Sequence, residues 1–189
     1  RDLRMSRGLG DVYKRQTLRR AVKRIDAEKS RRKKLRQREL VGMRRIDKRI
    51  SLEKNTWFHL ASNSGEQMLY CLKRMSDPCK EHVDNNFNPL SRECIEEILP
   101  VKKKIVDYLM RSERIVEDRD YEHIDALLAE EEAYKQQLSE MRRAQEDRIQ
   151  MDLSQGLKVS LVYLNLLQET QELLSDLRHY LRAFKRFQQ

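Results

Sequence analysis

GLKVSLVYLNLLQETQELLSDLRHYLRAFKRFQQ, residues 156–189, is the most apolar stretch of a very polar chain. Val159, Val162, Leu166, Leu173, Leu177, Tyr180, Phe184 and Phe187 fall three, four or seven residues apart. That spacing gathers them on one face of an amphipathic helix. Beside them runs a polar line, Asn165, Glu169, Glu172, Asp176 and His179, spaced four, three, four and three. At about 100° per residue these five project within one narrow arc that borders the apolar face. All are metal-ligand or hydrogen-bonding types. The line is either a functional site at the edge of a core or an ordinary hydrated seam between helices.

The rest of the chain is built in the same style. Its 189 residues include only five Gly and three Pro, too few for a turn-rich all-β fold, and the charged, Leu-rich remainder favours long helices. Three Cys with no paired spacing argue against a disulfide framework and for a reducing compartment. The longest apolar run, Leu161–Leu167, is interrupted by Asn165 and falls far short of the roughly 18–20 residues that span a bilayer. Charge is uneven along the sequence. Residues 1–54 carry 21 Lys and Arg against 7 Asp and Glu, a net +14, within an overall +9. A basic end on a mildly acidic body suggests an anionic partner: nucleic acid, lipid head groups, or acidic parts of the same protein.

Read in order, residues 1–16 (RDLRMSRGLGDVYKRQ) resemble translated adapter sequence and are set aside from the fold expectations, so that native sequence begins near Thr17 in a fragment of a longer protein. A first helix is expected from Thr17 to about Leu52. It has apolar patches at Leu18, Val22 and Ile25 and at Met43, Ile46 and Ile50, with a solvated middle from Asp26 to Lys34. A second helix, from about Trp57 to Asn85, carries Phe58, Ala61, Gly65, Met68, Leu72 and Met75 as its stripe. Gly65 is expected to allow close approach of a neighbour, and Asp77-Pro78 to kink or restart the helix. Asn85–Pro89 is a loop, and Ser91 an N-cap for a third helix bearing Ile95, Ile98, Ile105 and Leu109, bent at Pro100. Asp120 caps a fourth helix with Ile124, Leu127, Leu128, Tyr134, Leu138, Met141 and Ile149, and Asp152–Gly156 turns into the last one. Short links between long helices imply antiparallel neighbours, so the expected fold is an all-α, up-and-down bundle of about five helices. Residues 66–74 also align with 171–179 at a constant offset of 105, a faint internal repeat.

Catalytic signatures are absent from the sequence. It has no nucleophile elbow, no Gly-rich phosphate loop and no paired zinc-type Cys or His. Cys79, His82 and Asp84 could ligate a metal but have no second cluster to complete the shell. Glu169, Glu172 and Asp176 form the better candidate, since carboxylates at i, i+3 and i+7 converge on a hard cation when another helix adds oxygens. Against this stands the common arrangement in which such acids pair with Arg or Lys across a seam. Arg31, Arg32, Lys33 and Lys34 are the candidate contact to an anionic partner. No recognised nucleic-acid motif accompanies them and no aromatics interleave, so an anionic membrane surface fits them at least as well.

Two segments carry a family resemblance: FHLASNSGEQMLYCLKRMSDPCKEHVDNNFNPL (58–90) and LVYLNLLQETQELLSDLRHYLRAFKRF (161–187). Together they resemble the cytoplasmic PhoU-like domain that follows the transmembrane part of bacterial Na/Pi-cotransporter-family proteins, over essentially all of residues 17–189. The resemblance implies tandem three-helix bundles. Residues 17–90 would be the remnant of the first, with its opening helix missing, and residues 91–189 would be the complete second. It also implies a divalent or iron ion on a Glu-x-x-x-Asp pattern in the last helix of each bundle. Glu172 and Asp176 match that pattern, whereas the repeat has Gln67 and Cys71 there. The implied function is regulatory and non-enzymatic. The domain would act in sodium-coupled phosphate transport on the cytoplasmic side of the plasma membrane, with the missing transmembrane domain, the inner-membrane surface and a second copy of the chain as partners. A free-standing PhoU-like adaptor of phosphate uptake is the nearest alternative, and a helical nucleic-acid-binding protein using the basic first helix is the alternative from another class.

Overall fold

In the computed structural model, residues 2–45, 52–86, 88–151 and 156–188 are described, with side chains of the first helix described at 14–39 and 41. They form five helices: α1 (Asp2–Arg45), α2 (Leu52–Asp84), α3 (Arg92–Glu117), α4 (Ile124–Met151) and α5 (Leu157–Gln188). No strand occurs among the described residues, and the helices make an antiparallel bundle. Helix α5 is the hub. It packs along α2 on one side and against α4 and α3 on the other, and among the described residues α1 packs on α2 and on no other helix.

The hydrophobic core belongs to α3, α4 and α5. Val101, Ile105 and Tyr108 of α3 meet Ile124, Leu127, Leu128 and Leu138 of α4 and Tyr163, Leu167, Leu174, Leu177 and Leu181 of α5. Each such side chain, fully removed from water, contributes about 1.5–3 kcal/mol before entropy is counted. Polar ties fix the three helices in register. Arg111 of α3 grips Glu130 of α4 with two hydrogen bonds (2.7 and 2.8 Å), and Arg148 of α4 grips Glu97 of α3 in the same way (2.7 and 2.9 Å). The Tyr163 hydroxyl of α5 donates to that same Glu97 at 3.1 Å.

Several expected stripes turn out to be rotated. On α5, Leu173 and Leu177 are buried, but Val159, Val162, Leu166, Tyr180, Phe184 and Phe187 are only half-buried. The deepest positions are Tyr163, Leu167, Leu174 and Leu181, each at 0 % exposure. The cause is that α5 is covered on two sides, so a single-face reading selects the border between them. On α3, Cys94, Val101, Ile105, Tyr108 and Ser112 form the buried line, while Ile95 faces solvent. On α2, the buried residues are Ser64, Cys71 and Ser76, and the larger apolar side chains of its expected stripe lie half-buried at the margins. On α4, Glu131 and Gln145 are buried in the line where Tyr134 and Met141 are only half-buried.

The helix ends follow local chemistry. Ser91 is the N-cap of α3, its hydroxyl accepting from the Cys94 N–H at 3.2 Å. Asp120 is not the cap of α4, which begins at Ile124. Its carboxylate lies 2.6 Å from His123 Nδ1 in the preceding turn. Helix α2 runs through Pro78 without a restart, and α3 through Pro100. After α2 the chain turns at Asn85 and Asn86, the latter with a φ of 55° that suits a short polar side chain, and residues 88–90 are non-helical, while Phe87 of the expected loop lies outside the described residues. Gly65 makes no close helix contact: a Cβ there would meet only the Arg32 guanidinium, at 3.8 Å.

Helix α1 is continuous through position 17, so the boundary expected between residues 16 and 17 leaves no break in it. Val22 is its one buried apolar side chain among those described, with Leu18 and Ile25 half-buried beside it. Ile46 and Ile50, the Met43 side chain and the 152–155 part of the expected last turn lie outside the described residues. Otherwise α1 is held by polar contacts. Arg32 donates to the Ser62 hydroxyl (2.7 Å) and carbonyl (3.1 Å), Arg36 pairs with Glu66, and Lys73 reaches Asp26 at 3.2 Å.

Candidate functional site

The polar line on α5 divides in two when folded. Glu169 and Asp176 turn into the α2–α5 seam, whereas Glu172 and His179 stay exposed. Glu169 is 8 % exposed and accepts from Arg74 Nε at 2.8 Å. Arg74 Nη2 also donates to the Cys71 sulfur at 3.2 Å, and the Cys71 thiol donates to Asp176 at 3.4 Å. The result is one chain of contacts across the seam, Glu169–Arg74–Cys71–Asp176. Burial, reinforced by the bond to Asp176, pushes the Cys71 thiol up to about 12. Burial also raises Asp176, against the opposing effect of the thiol bond. A thiol that holds its proton so firmly is the reverse of an activated nucleophile. This is a structural pair.

The pair has a second property. Cys71 and Asp176 are 105 residues apart, the offset of the internal repeat. Helices α2 and α5 are antiparallel, for the Phe58 ring packs against Phe187 at one end while Arg74 reaches Glu169 further along. Antiparallel helices whose equivalent positions touch are related by a local two-fold axis through that contact. Burial follows the relation only in part: Ser64 and Glu169 are equivalent and both buried, as are Ser76 and Leu181, but Tyr163, Leu167, Leu174 and Leu177 of α5 are buried opposite half-buried equivalents on α2.

The expected metal ligands are engaged elsewhere. Arg74 holds Glu169, Cys71 holds Asp176, and Glu172 accepts from Gln168 Nε2 at 3.0 Å. Among the described residues no three His, Cys, Asp or Glu are grouped as a metal ion requires. A divalent or iron ion thus has no ready donor set at Glu169, Glu172 and Asp176, because a cation there would have to displace a guanidinium. Cys79, His82 and Asp84 do not converge either. His82 Nε2 lies 2.7 Å from the Asn88 carbonyl, and Asp84 pairs with Lys80 (3.1 Å) and Arg19 (3.4 Å).

The basic run on α1 does not form one patch. Four consecutive residues encircle a helix, so Arg32 turns inward to Ser62 while Arg31, Lys33 and Lys34 face solvent in different directions. Arg31 is loosely paired with Glu28 at 3.7 Å.

A groove of about 940 Å³ lies elsewhere, between the start of α2, the start of α4 and the end of α5. Trp57 and Leu60 form one wall, Leu128 and Ala183 lie toward the core, and His179, Arg182 and Arg186 stand on α5. Arg178 and Lys185 also border it but are committed, Arg178 to Glu131 and Glu132 (both 3.1 Å) and Lys185 to Asp125 (2.7 Å). Arg182 and Arg186 are exposed and have no ion pair among the described residues. Sequence reading missed this groove because its walls come from three distant segments. The available signal was the spacing of three and four from His179 to Arg182 to Arg186, which puts all three on one side of the last helix.

Set against family models, curated proteins and solved structures, the chain finds no match in any of the three comparisons. Among the described residues no helix is long and apolar enough to cross a membrane.

Proposed function

We propose that this chain is a helical regulatory domain, the cytoplasmic PhoU-like part of a sodium-dependent phosphate symporter, acting through contacts with the transport domain rather than through chemistry of its own. The observation that carries the reading is the two-fold relation of α2 and α5 about Cys71 and Asp176, which is what tandem bundles sharing a seam require. The complete core of α3–α5 fits a second bundle, and α1 with α2 fits the remnant of a first. The protonated thiol in the seam favours structure over catalysis. Exposed cations along α1 suit the anionic inner-membrane surface.

The test is sodium-dependent phosphate uptake in cells carrying the complete gene, compared with cells in which residues 17–189 are deleted. Altered uptake, together with co-purification of the domain with a membrane-embedded transporter, is the expected result. Unchanged uptake with the domain recovered free would overturn the symporter reading and favour a free-standing adaptor. Steeply salt-dependent DNA or RNA binding that is lost on neutralising Arg31, Lys33 and Lys34 would overturn it in favour of the nucleic-acid alternative.

A further inference from the structure

The groove at the end of α5 combines three features seldom placed together by chance. It is large enough for a small organic ligand. It has an aromatic wall at Trp57, half-buried and set in place by a 3.4 Å contact from its indole N–H to Glu53. It also offers Arg182 and Arg186 one turn apart, guanidinium groups that no acid among the described residues has claimed, while the neighbouring Arg178 and Lys185 are neutralised by acids of α4. The contrast is informative, since the same helix face has paired cations toward the core and unpaired ones toward the opening. Planar guanidinium groups side by side recognise phosphate oxygens, and an indole recognises a flat ring.

We propose that this groove binds a nucleotide, its base against Trp57 and Leu60 and its phosphates on Arg182 and Arg186, with His179 beside them. The site stands independently of the transporter reading. It shares no residue with the Cys71–Arg74–Glu169 contacts, although Asp176 borders both. Of its acidic neighbours, Asp125 is paired with Lys185, and Asp176 is turned toward the α2–α5 seam, where it accepts from the Cys71 thiol.

Trp57 is the sole tryptophan of the chain, so its fluorescence reports on the groove directly. The intact protein is titrated with ATP, with adenosine and with inorganic phosphate. The expected result is a saturable change in Trp57 emission with ATP, and much weaker responses to the two halves offered separately. Replacing both arginines (Arg182→Gln with Arg186→Gln) is expected to weaken ATP binding about tenfold or more. Arg31→Gln with Lys34→Gln on α1 is expected to leave it unchanged. Trp57→Phe, followed calorimetrically, should retain weaker binding. The proposal is overturned by any of three results: no saturable response at millimolar ATP, inorganic phosphate binding as tightly as ATP, or equal losses from the α5 and α1 variants. Circular dichroism on each variant separates loss of binding from loss of fold.

Discussion

Glu131 shows how a single residue can carry a pH dependence. It is 0 % exposed on α4, bound by Arg178 at 3.1 Å, with Lys135 at 3.9 Å from its other oxygen. Burial outweighs these cations and raises its folded pKa above the ordinary value. For this group the folded state therefore holds its proton more tightly than the unfolded one. Its contribution to stability is complete below the unfolded carboxylate range and declines as pH rises through the folded value. Glu131→Gln should accordingly match or exceed the native thermal midpoint at neutral pH, with the advantage fading as pH falls toward about 4. Arg178→Met, which strips the buried acid of its main partner, should cost about 3 kcal/mol at neutral pH and less in acid. Differential scanning calorimetry across that range reads both signs. At Cys71 the expectation is chemical. Fully buried and with its thiol pushed up to about 12, it should resist iodoacetamide at mildly alkaline pH until the protein unfolds, as peptide mass spectrometry would show.

Among the helices, α1 and α5 are opposites. Helix α5 is covered on two sides, by the apolar core of α3 and α4 and by the long seam with α2, while α1 is attached to α2 mainly by Arg32, Arg36 and Lys73 contacts around Val22, its one buried apolar side chain among those described. Partly exposed ion pairs weaken as salt rises, because the screening length falls from about 10 Å at 0.1 M to about 3 Å at 1 M. Amide exchange in residues 17–39 should therefore speed up between those salt concentrations while exchange in α5 stays slow. Arg32→Ala should give the same acceleration at low salt. Equal protection of α1 and α5 under both conditions would refute this ordering of strengths. The difference also explains what sequence could reveal. Five helices were legible, because most boundaries have Pro, Asn, Gly or a cap such as Ser91 near them, although the α3–α4 link at 118–123 has none of these. The facing of α5 was not, since burying Ser160 and Glu169 as well as Leu167 and Leu174 defeats any rule that looks for one apolar face.

For the molecule as a whole, stability is concentrated in residues 92–188. Leu174→Ala, at the centre of the α3–α5 core, should cost about 2–5 kcal/mol and lower the thermal midpoint of the entire chain. Val22→Ala should loosen α1 with little change in that midpoint. A single transition that shifts equally for both substitutions would show that α1 is as integral as α5. At this scale the candidate site was the least legible part. The acids at Glu169, Glu172 and Asp176 stood out by spacing, yet their partners Arg74 and Cys71 come from a helix about a hundred residues away. The groove is a product of three-helix geometry that no local pattern announces.

The meeting of Cys71 and Asp176 on their shared axis has one more consequence. Strict symmetry would set a carboxylate against its own twin, and two acids at such a distance can share only one proton between them. The thiol settles that conflict by bringing a proton of its own and keeping it throughout the neutral range. The sequence asymmetry at that one position spares the axis a second carboxylate, and Arg74 beside it is left free to hold Glu169.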